Sequence, residues 1–533
     1  MSKVIIYDTT LRDGAQGEGV FFSAEDKLRI VKKLDAIGLD YIEGGWPGSN
    51  PKDLEFYRAA AKINFRHAKL SAFGSTRRAN NPPAEDKILG DLLKTNTPVV
   101  TIFGKSWDLH AREVLKVSLA ENLQMIEDSI AYLRQNGREV VFDGEHFYDG
   151  YKADPDYALE TLKAAVRGGA NALVLCDTNG GTLPLEAVDI FKRIKKEFSL
   201  PIGIHFHNDS GTAVASSVMS VQSGAAQVQG TFNGYGERCG NANLTSIIPT
   251  LIIKLGYETT VGPNLHLLTE ASRFVSELTN LQHDERQPYV GASAFAHKAG
   301  THHDAIIKNP VTLEHIRPEH VGNERRFLLS DQAGRSTVLN KIKEFFPETK
   351  KEDPQVQKLT DNLKELENLG YQFEAAEASF DLVIKKAFNL YEKAFTLNGF
   401  RIIVEKRGDL PVLTEATIKV GVGNETEITA AEGEGPVNAL DCAIRKALLR
   451  FYPEIADINL IDYKVRVLDE NRGTAAKVRV LIQSADGKNS WGTVGVSENL
   501  IEASWEALVD SIEYGILYKN SDEETTKSNI SSK

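Results

Sequence analysis

Residues 1–245 of this 533-residue chain predict an α/β protein headed by a parallel (β/α)8 barrel. Three observations carry that expectation. Short apolar runs recur along the segment, eight in all. Helix-period amphipathic stretches separate them at the spacing of a βα unit. Polar, chemistry-bearing residues gather where the runs end, which is where a barrel builds its site.

The runs are KVIIYD (3–8), LDYIEGG (39–45), AKLSAFG (68–74), PVVTIFG (98–104), EVVFDGE (139–145), NALVLCD (171–177), PIGIHFH (201–207) and AQVQGTF (226–232). Between the first two, SAEDKLRIVKKLDAIG (23–38) puts Leu28, Ile30, Val31, Leu34 and Ile37 on one broad helical face. Ser23 suits its N-cap and Gly38 its C′ position. VSLAENLQMIEDSIAYLRQNG (117–137) and PLEAVDIFKRIKKEF (184–198) read the same way. Strands alternating with helices form a parallel sheet, and eight of them close it. The alternatives are an open doubly wound sheet, or six strands with two misassigned segments. Against the open sheet, the first βα turn, TTLRDGAQGEG, lacks the GxGxxG phosphate loop.

Beyond residue 245 the texture changes. Residues 246–345 are helix-rich and carry the histidine cluster AFAHKAGTHHDA (294–305). Residues 346–400 hold charged helical stretches such as KKEDPQVQKLTDNLKELENLGY (350–371). From 401 the pattern is β-branched alternation, interrupted by helices over 433–451 and 495–517 that each follow a glycine-bearing loop. This is a weak internal repeat of sheet, loop and helix. The expected division is a barrel over 1–280, helical connector subdomains over 281–400, an α+β C-terminal module over 401–519 and a polar, disordered tail over 520–533.

Composition narrows the function class. Hydrophobic residues make up 41% and charged residues 26%, ordinary for a folded chain that buries a large core. The net charge of −12 argues against a general nucleic-acid binder. Cys176, Cys239 and Cys442 cannot build a disulfide framework and form no CxxC pair, which points to a reducing, cytoplasmic compartment. The N-terminus lacks a signal-peptide apolar region, and no apolar run is long enough for a membrane span.

The strand ends supply Asp8, Arg12, Asp13, Glu43, Lys105, Glu145, His146, Asp177, Thr178, Asn179, His205, His207, Asn208, Asp209, Asn233, Glu237, Arg238 and Asn241. His205 and His207 are two apart on a strand, so both side chains face one way and can converge on one metal ion. Asp13, ending strand one, is a candidate third ligand, giving a two-histidine, one-carboxylate site with open positions. A buried and a surface histidine are the bland alternative for a bare HxH. These ligands suit an exchangeable divalent ion, Mg, Mn, Co, Zn or Fe. The glycine-rich NGYGERCGN (233–241) puts Asn241 at the metal and Glu237 or Arg238 in support. Cys239 reads as a small buried loop residue rather than a ligand. Phe103 and Phe142, ending strands four and five, are candidates for shrinking a substrate pocket, or else ordinary barrel packing.

DTTLRDG (8–14), HFHND (205–209) and NGYGERCGN (233–241) resemble the signatures of the acyl-CoA condensing enzymes of the DRE-TIM metallolyase superfamily. That group includes 2-isopropylmalate, homocitrate and citramalate synthases, and the resemblance covers nearly the whole chain. GGWPGSNPKD (44–53), AFAHKAGTH (294–302) and HVGNERRF (320–327) look most like the citramalate synthases. The resemblance implies a Claisen-type condensation of acetyl-CoA with a 2-oxo acid, pyruvate, followed by thioester hydrolysis to (R)-citramalate and CoA. It implies Asp13, His205, His207 and Asn241 at a divalent metal. Arg12 would stabilise charge on the keto oxygen, Glu145 would orient Arg12 or a bound water, and Thr178 would donate to the oxo-acid carboxylate. His302 would be the catalytic histidine, with His303 as its neighbouring alternative. The C-terminal module looks like the family's LeuA-type allosteric domain, implying isoleucine as inhibitor, a place in isoleucine biosynthesis and a homodimer or larger homo-oligomer.

One departure stands out. Relatives often carry tyrosine where this chain has Leu313, so the proton relay would use Glu314, His315, Tyr289 or water instead. Arg325 and Arg326 are candidates for CoA phosphates, or plain solvated charges. The rival readings are a 2-isopropylmalate or homocitrate synthase, a metal-dependent acyl-CoA lyase or aldolase, and a non-catalytic amino-acid sensor.

Overall fold

The computed structural model describes residues 3–530 apart from 49–50, 280, 298–304, 307, 328–338, 340–341, 344–345, 347, 351, 469–475 and 488. Its contacts divide it into two compact units: Met1–Ala296 with Glu314–Arg326, and His297–Leu313 with Phe327–Lys533.

The first unit is a closed parallel barrel of eight strands in sequence order. The strands are β1 (Ile5–Asp8), β2 (Tyr41–Glu43), β3 (Lys69–Ser75), β4 (Val99–Lys105), β5 (Glu139–Glu145), β6 (Ala172–Asp177), β7 (Ile202–Phe206) and β8 (Gln227–Gly230). Each coincides with one of the eight apolar runs, β3 and β4 extending one residue beyond theirs. Pairing of β8 with β1, Gly230 opposite Asp8, closes the ring. The helices around it are α1 (Ala24–Ile37), α2 (Pro51–Ala60), α3 (Lys87–Lys94), α4 (Leu119–Gln135), α5 (Phe147–Ala153), α6 (Pro155–Gly168), α7 (Pro184–Glu197), α8 (Ala213–Gln222), α9 (Leu244–Pro249) and α10 (Leu268–Thr279). Local sequence explains their ends. Ser23 and Asp26 form a capping box at the start of α1, and Gly38 ends it in the left-handed region at φ 102°.

Alternation along the strands sorts the side chains into two cores. Ile6, Ile42, Ile102, Phe142 and Ile204 join the large cluster beneath the helices. Val99, Val141, Ala172, Val174 and Cys176 form a separate cluster with Tyr41 in the barrel's own interior. Phe142 therefore belongs to the packing against the helices and does not shrink a pocket at the barrel mouth. Its parity on β5 is opposite to that of Asp143 and Glu145.

The second unit contains α11 (Pro354–Leu369), α12 (Glu377–Ala387) and a module built twice on one plan. Strands β9 (Thr396–Glu405), β10 (Leu413–Val422) and β11 (Glu425–Gly433) form an antiparallel sheet followed by α13 (Pro436–Leu448). Strands β12 (Asn459–Val467), β13 (Val478–Ala485) and β14 (Ser490–Ser497) form another, followed by α14 (Leu500–Ile530). Ala416, Ile418 and Val420, alternate residues of β10, are buried against Ala443, Ile444 and Ala447 of α13. The expected sheet–loop–helix repeat is present, with its first strand opening at Thr396, before the expected boundary at 401. Helix α14 runs through Ile530, where the sequence predicts a disordered tail; each residue added to a formed helix gains a backbone bond. No helix among the described residues is long and apolar enough to cross a membrane.

Candidate metal centre and active site

The mouth of the barrel gathers residues from strands far apart in sequence. His205 sits on β7, and His207, just beyond it, forms an isolated bridge with Asn241. Both Nε2 atoms face Asp13 Oδ2, at 3.2 Å from His205 and 3.8 Å from His207. All three residues are buried, and their ligand atoms lie within 4.8 Å of one another. Asp13 is held there because the turn after β1 folds back on itself: its amide donates to Thr9 O at 2.9 Å.

The surroundings prepare these side chains to bind a cation. His205 Nδ1 pairs with Gln229 Oε1 at 2.9 Å, and Gln229 Nε2 donates to Asp143 Oδ1 at 3.1 Å. An amide oxygen can only accept, so Nδ1 carries the proton and the Nε2 lone pair faces Asp13. Two acceptors then confront each other across 3.2 Å, an arrangement that a cation or a shared proton must bridge. Asn241 is turned in the same sense. Its Nδ2 donates to Tyr235 O at 3.2 Å, while Oδ1 is buried without a hydrogen-bond partner. His207 Nδ1 is likewise buried and unpartnered. A carboxylate, two imidazoles and an amide oxygen fit a divalent ion of borderline to hard character.

The loop that carries Asn241 depends on glycine. A Cβ on Gly236 would stand 2.1 Å from Asn241 Nδ2, and one on Gly240 1.9 Å from Gly234 O. Arg238 ties the loop down: its guanidinium donates to both Asp209 oxygens, at 2.8 and 3.0 Å, and to Thr178 O at 2.7 Å. Of the two supporting residues expected, Arg238 makes these contacts and Glu237 is exposed. Cys239 is exposed too, against the expectation of a buried loop residue.

Beside the cluster, Arg12 is fixed on three sides. Its Nε donates to Glu43 Oε1 at 2.6 Å, Nη1 lies 3.2 Å from Asp13 Oδ2, and its Cζ stands 3.7 Å above the Phe73 ring. Glu43 is in turn held by the Tyr7 hydroxyl at 2.8 Å, which also pairs with Thr101 Oγ1 at 2.6 Å. Phe73 stacks on Phe103, and Trp46 meets both edge-on. This aromatic wall stands next to Arg12, so Phe103 does face the site.

The sequence assigns Glu145 to orienting Arg12 or a bound water, and for Arg12 the structure differs. Glu145 is opposite Lys105 across β4 and β5, and the two form an ion pair. Glu43 takes the Arg12 contact, because strand two is the neighbour of strand one. Thr178 is half-buried, and its Oγ1 accepts the His146 backbone N–H at 2.9 Å, which leaves the hydroxyl proton to donate. His302 and His303 lie outside the described residues. Among the substitutes for the tyrosine absent at Leu313, the Tyr289 hydroxyl pairs with Thr250 Oγ1 at 2.8 Å. Glu314 is held by both Nε and Nη2 of Arg325 at 2.6 Å, so Arg325 is committed to a carboxylate.

Protonation follows from these contacts. Burial works to raise the Asp13 pKa, but Arg12 and the two histidines outweigh it and hold the carboxyl well below the usual range. Burial pushes His207 down to about 4, so it is a neutral donor at neutral pH. Burial, with Glu43 adding to it, raises Asp143 to about 7. The site thus offers one firm anion and, at His207, a neutral nitrogen donor; at His205 burial works to lower the pKa, but Asp13 outweighs it and raises it, so a divalent cation binding there displaces a proton.

Tyr7, Glu43, Asp143 and Gln229 were not singled out for these supporting roles. The signal was present in part: each is a polar or hydroxyl-bearing residue on the inward parity of a barrel strand.

Comparison with known proteins agrees with this geometry. Residues 3–275 match the HMGL-like family model, residues 289–370 the homocitrate synthase post-HMGL domain-like model, and residues 374–516 the LeuA allosteric (dimerisation) domain. The chain is 56% identical to an (R)-citramalate synthase of Aquifex aeolicus, over 97% of this chain and 98% of that one. It is 55% identical to one of Geobacter sulfurreducens, over 99% and 100% of the two chains. It is 51% identical to one of Synechocystis sp., over 96% of each. With family models matching its barrel, connector and C-terminal module and with relatives more than 50% identical over nearly its whole length, the chain belongs to the HMGL-like family and, within it, to the (R)-citramalate synthases.

Proposed function

We propose that the chain condenses acetyl-CoA with pyruvate and water to give (R)-citramalate and CoA. The observation that carries this reading is the buried Asp13–His205–His207 cluster beside Arg12, in a chain similar to (R)-citramalate synthases over its full length. The aromatic wall of Trp46, Phe73 and Phe103 supports a small 2-oxo acid, since it narrows the space next to Arg12.

A divalent ion held by Asp13, His205, His207 and Asn241 supplies Lewis-acid polarisation of the keto carbonyl. The remaining work falls to the chain's own side chains. Arg12, held rigid by Glu43 and Phe73, donates hydrogen bonds to the negative charge that grows on the keto oxygen. Thr178 donates its hydroxyl proton to the oxo-acid carboxylate. His302 takes a proton from the acetyl methyl, which makes the enolate that attacks the keto carbon; His303 is the alternative base. Glu145 holds the water that then hydrolyses the thioester and releases CoA.

The same reading gives the chain a catalytic barrel, connector subdomains and a C-terminal regulatory module. It makes isoleucine the inhibitor and isoleucine biosynthesis the setting. The match to a LeuA dimerisation domain supports a homodimer or larger homo-oligomer, and few cysteines support a cytoplasmic setting. The test is a thiol-release assay with acetyl-CoA and pyruvate, 2-oxoisovalerate or 2-oxoglutarate, with and without isoleucine. Pyruvate is expected to give the highest kcat/KM, and a preference for either larger acid overturns the assignment.

A further inference from the structure

Lys105 and Glu145 close β4 and β5, and the condensation as described uses only the second of them. They stand opposite each other in the register, one step beyond Phe103 and Asp143 on the same parity, so all four face inward. Gly104, next to Lys105, faces the other way: a Cβ there would meet Phe142 and Ile126 on the helix side. The closed order of eight strands sets β4 and β5 across the mouth from β8 and β1. The pair therefore stands on the wall facing Asp13.

Both residues are held still. The Ser106 N–H donates to Glu145 O at 3.0 Å, and Asn122 Nδ2 donates to Lys105 O at 2.8 Å. Lys105 Nζ pairs with Glu145 Oε2 and lies 5.4 Å from the Phe103 ring centroid. Phe103 stacks on Phe73, over which Arg12 Cζ stands. Two cations thus border one stacked pair of rings, Arg12 at Phe73 and Lys105 at Phe103.

Stability does not account for this lysine. The two side chains are only 16% and 22% exposed, and a buried ion pair roughly breaks even against apolar side chains of the same size. Among the described residues, Glu145 is the one acceptor that Lys105 Nζ meets. An ammonium group has three N–H donors, so two remain for an occupant of the mouth.

The chemistry of that occupant follows from the proposed condensation, on which this inference rests. Joining the acetyl methyl carbon to the keto carbon leaves the thioester carbonyl two bonds further out. Arg12 and the metal ligands hold the keto end, and the unused cation stands on the facing wall.

We propose that Lys105 is the oxyanion donor of the hydrolytic step. Glu145 takes a proton from water, whose oxygen attacks the thioester carbonyl carbon. The carbonyl π pair moves onto oxygen, and that oxyanion accepts hydrogen bonds from Lys105 Nζ. The carbonyl re-forms, the C–S bond breaks with its electron pair on sulfur, and the sulfur takes the proton from Glu145. The new carboxylic acid loses its proton to solvent, and its carboxylate departs from Lys105.

The test separates the two halves of the reaction in the full-length chain. Synthetic citramalyl-CoA reports hydrolysis alone. A single turnover of acetyl-CoA with pyruvate, quenched in acid and read by mass spectrometry, reports formation of the thioester. Lys105→Met is expected to slow hydrolysis about a hundredfold or more and thioester formation less than about tenfold, so that citramalyl-CoA accumulates. Lys105→Arg keeps hydrolysis within about tenfold of the unaltered chain. Lys105→Cys regains hydrolysis after aminoethylation with 2-bromoethylamine, and Lys105→Met treated alike does not. A lysine with a merely structural role would slow both halves together. If Lys105→Met does not fold, reductive methylation of the unaltered chain replaces it, with protection of Lys105 by citramalate expected. Unchanged hydrolysis in Lys105→Met, an equal fall in both halves, or methylation of Lys105 unaffected by citramalate overturns the proposal. An unaltered chain that makes no thioester from pyruvate overturns the condensation reading instead, and this proposal with it.

Discussion

Two groups of carboxylates withdrawn from solvent to different degrees, one in each unit, meet opposite fates. At the barrel mouth, Asp13 and Glu43 are buried together with their cation, since the Arg12 side chain is only 11% exposed. On α14, Glu513 is buried and Glu506 and Asp510 are half-buried, while Lys386, at 44%, stays near water. Burial raises the pKa of all three α14 acids. Burial presses on Asp13 in the same sense, yet Arg12 and the histidines carry it the other way. What decides the charge of a buried acid is whether its partner is buried with it. The barrel has spent its cations on making a fixed anion for a metal; the module has left one carboxylate oxygen without a donor.

The largest effect is expected from breaking the barrel cluster. His207→Ala should lower kcat/KM at least a thousandfold, about 4 kcal/mol of transition-state stabilisation, and should lose bound divalent ion by elemental analysis. Chelator treatment of the unaltered chain should do the same reversibly. Retained metal and turnover in the variant would remove the basis of the site assignment.

Next comes Glu43→Gln, which leaves Arg12 buried without its carboxylate. Removing one partner of a buried pair costs about 3–5 kcal/mol of stability, to be read from denaturant unfolding. Turnover should fall as well, since Arg12 loses its orientation. A change under 1 kcal/mol would mean that Asp13 and the Phe73 ring hold Arg12 alone.

Gln229→Leu probes one layer further out. It removes the acceptor that fixes the His205 tautomer and should weaken metal affinity about 10–100-fold. A metal titration with unchanged affinity would mean that Asp13 alone orients the imidazole.

The smallest effect sharpens the module's side of the comparison. A carboxyl whose folded pKa is raised contributes stability that is fully present below its unfolded value, near 4, and lost as pH rises through the folded value. Glu513 is such a group. Glu513→Gln cannot titrate, so its stability relative to the unaltered chain should rise between pH 5 and pH 8. Asp13, with its lowered pKa, has the opposite sign: its contribution is present above about pH 4 and lost on acidification. Thermal scans at the two pH values check both signs, and a difference that does not change with pH would contradict the first.

Much of this was legible in the sequence because it is local. The eight barrel strands follow from apolar runs, the start and end of α1 from Ser23 and Gly38, and the pairing of His205 with His207 from a period of two. Asp13 followed from strand order alone, because a closed sheet makes β1 a neighbour of β8. The partners of Arg12 were not legible in the same way. Glu43 and Glu145 both end barrel strands, and which one reaches Arg12 depends on the rotation of strands around the ring. Phe142 shows the same limit, since a strand that ends in DGE offers aromatic residues to either face until its inward parity is known.

By itself the sequence determined the barrel, the repeated sheet–helix plan of the C-terminal module and the convergence of Asp13, His205 and His207, because period, capping and order along the chain are written in neighbouring residues. Only the tertiary structure decided that Glu43 rather than Glu145 clamps Arg12, that Gln229 and Asp143 stand behind His205, and that Glu513 keeps an unpartnered buried oxygen. Those are distances between side chains tens of residues apart in sequence, and they exist only once packing has fixed register and parity.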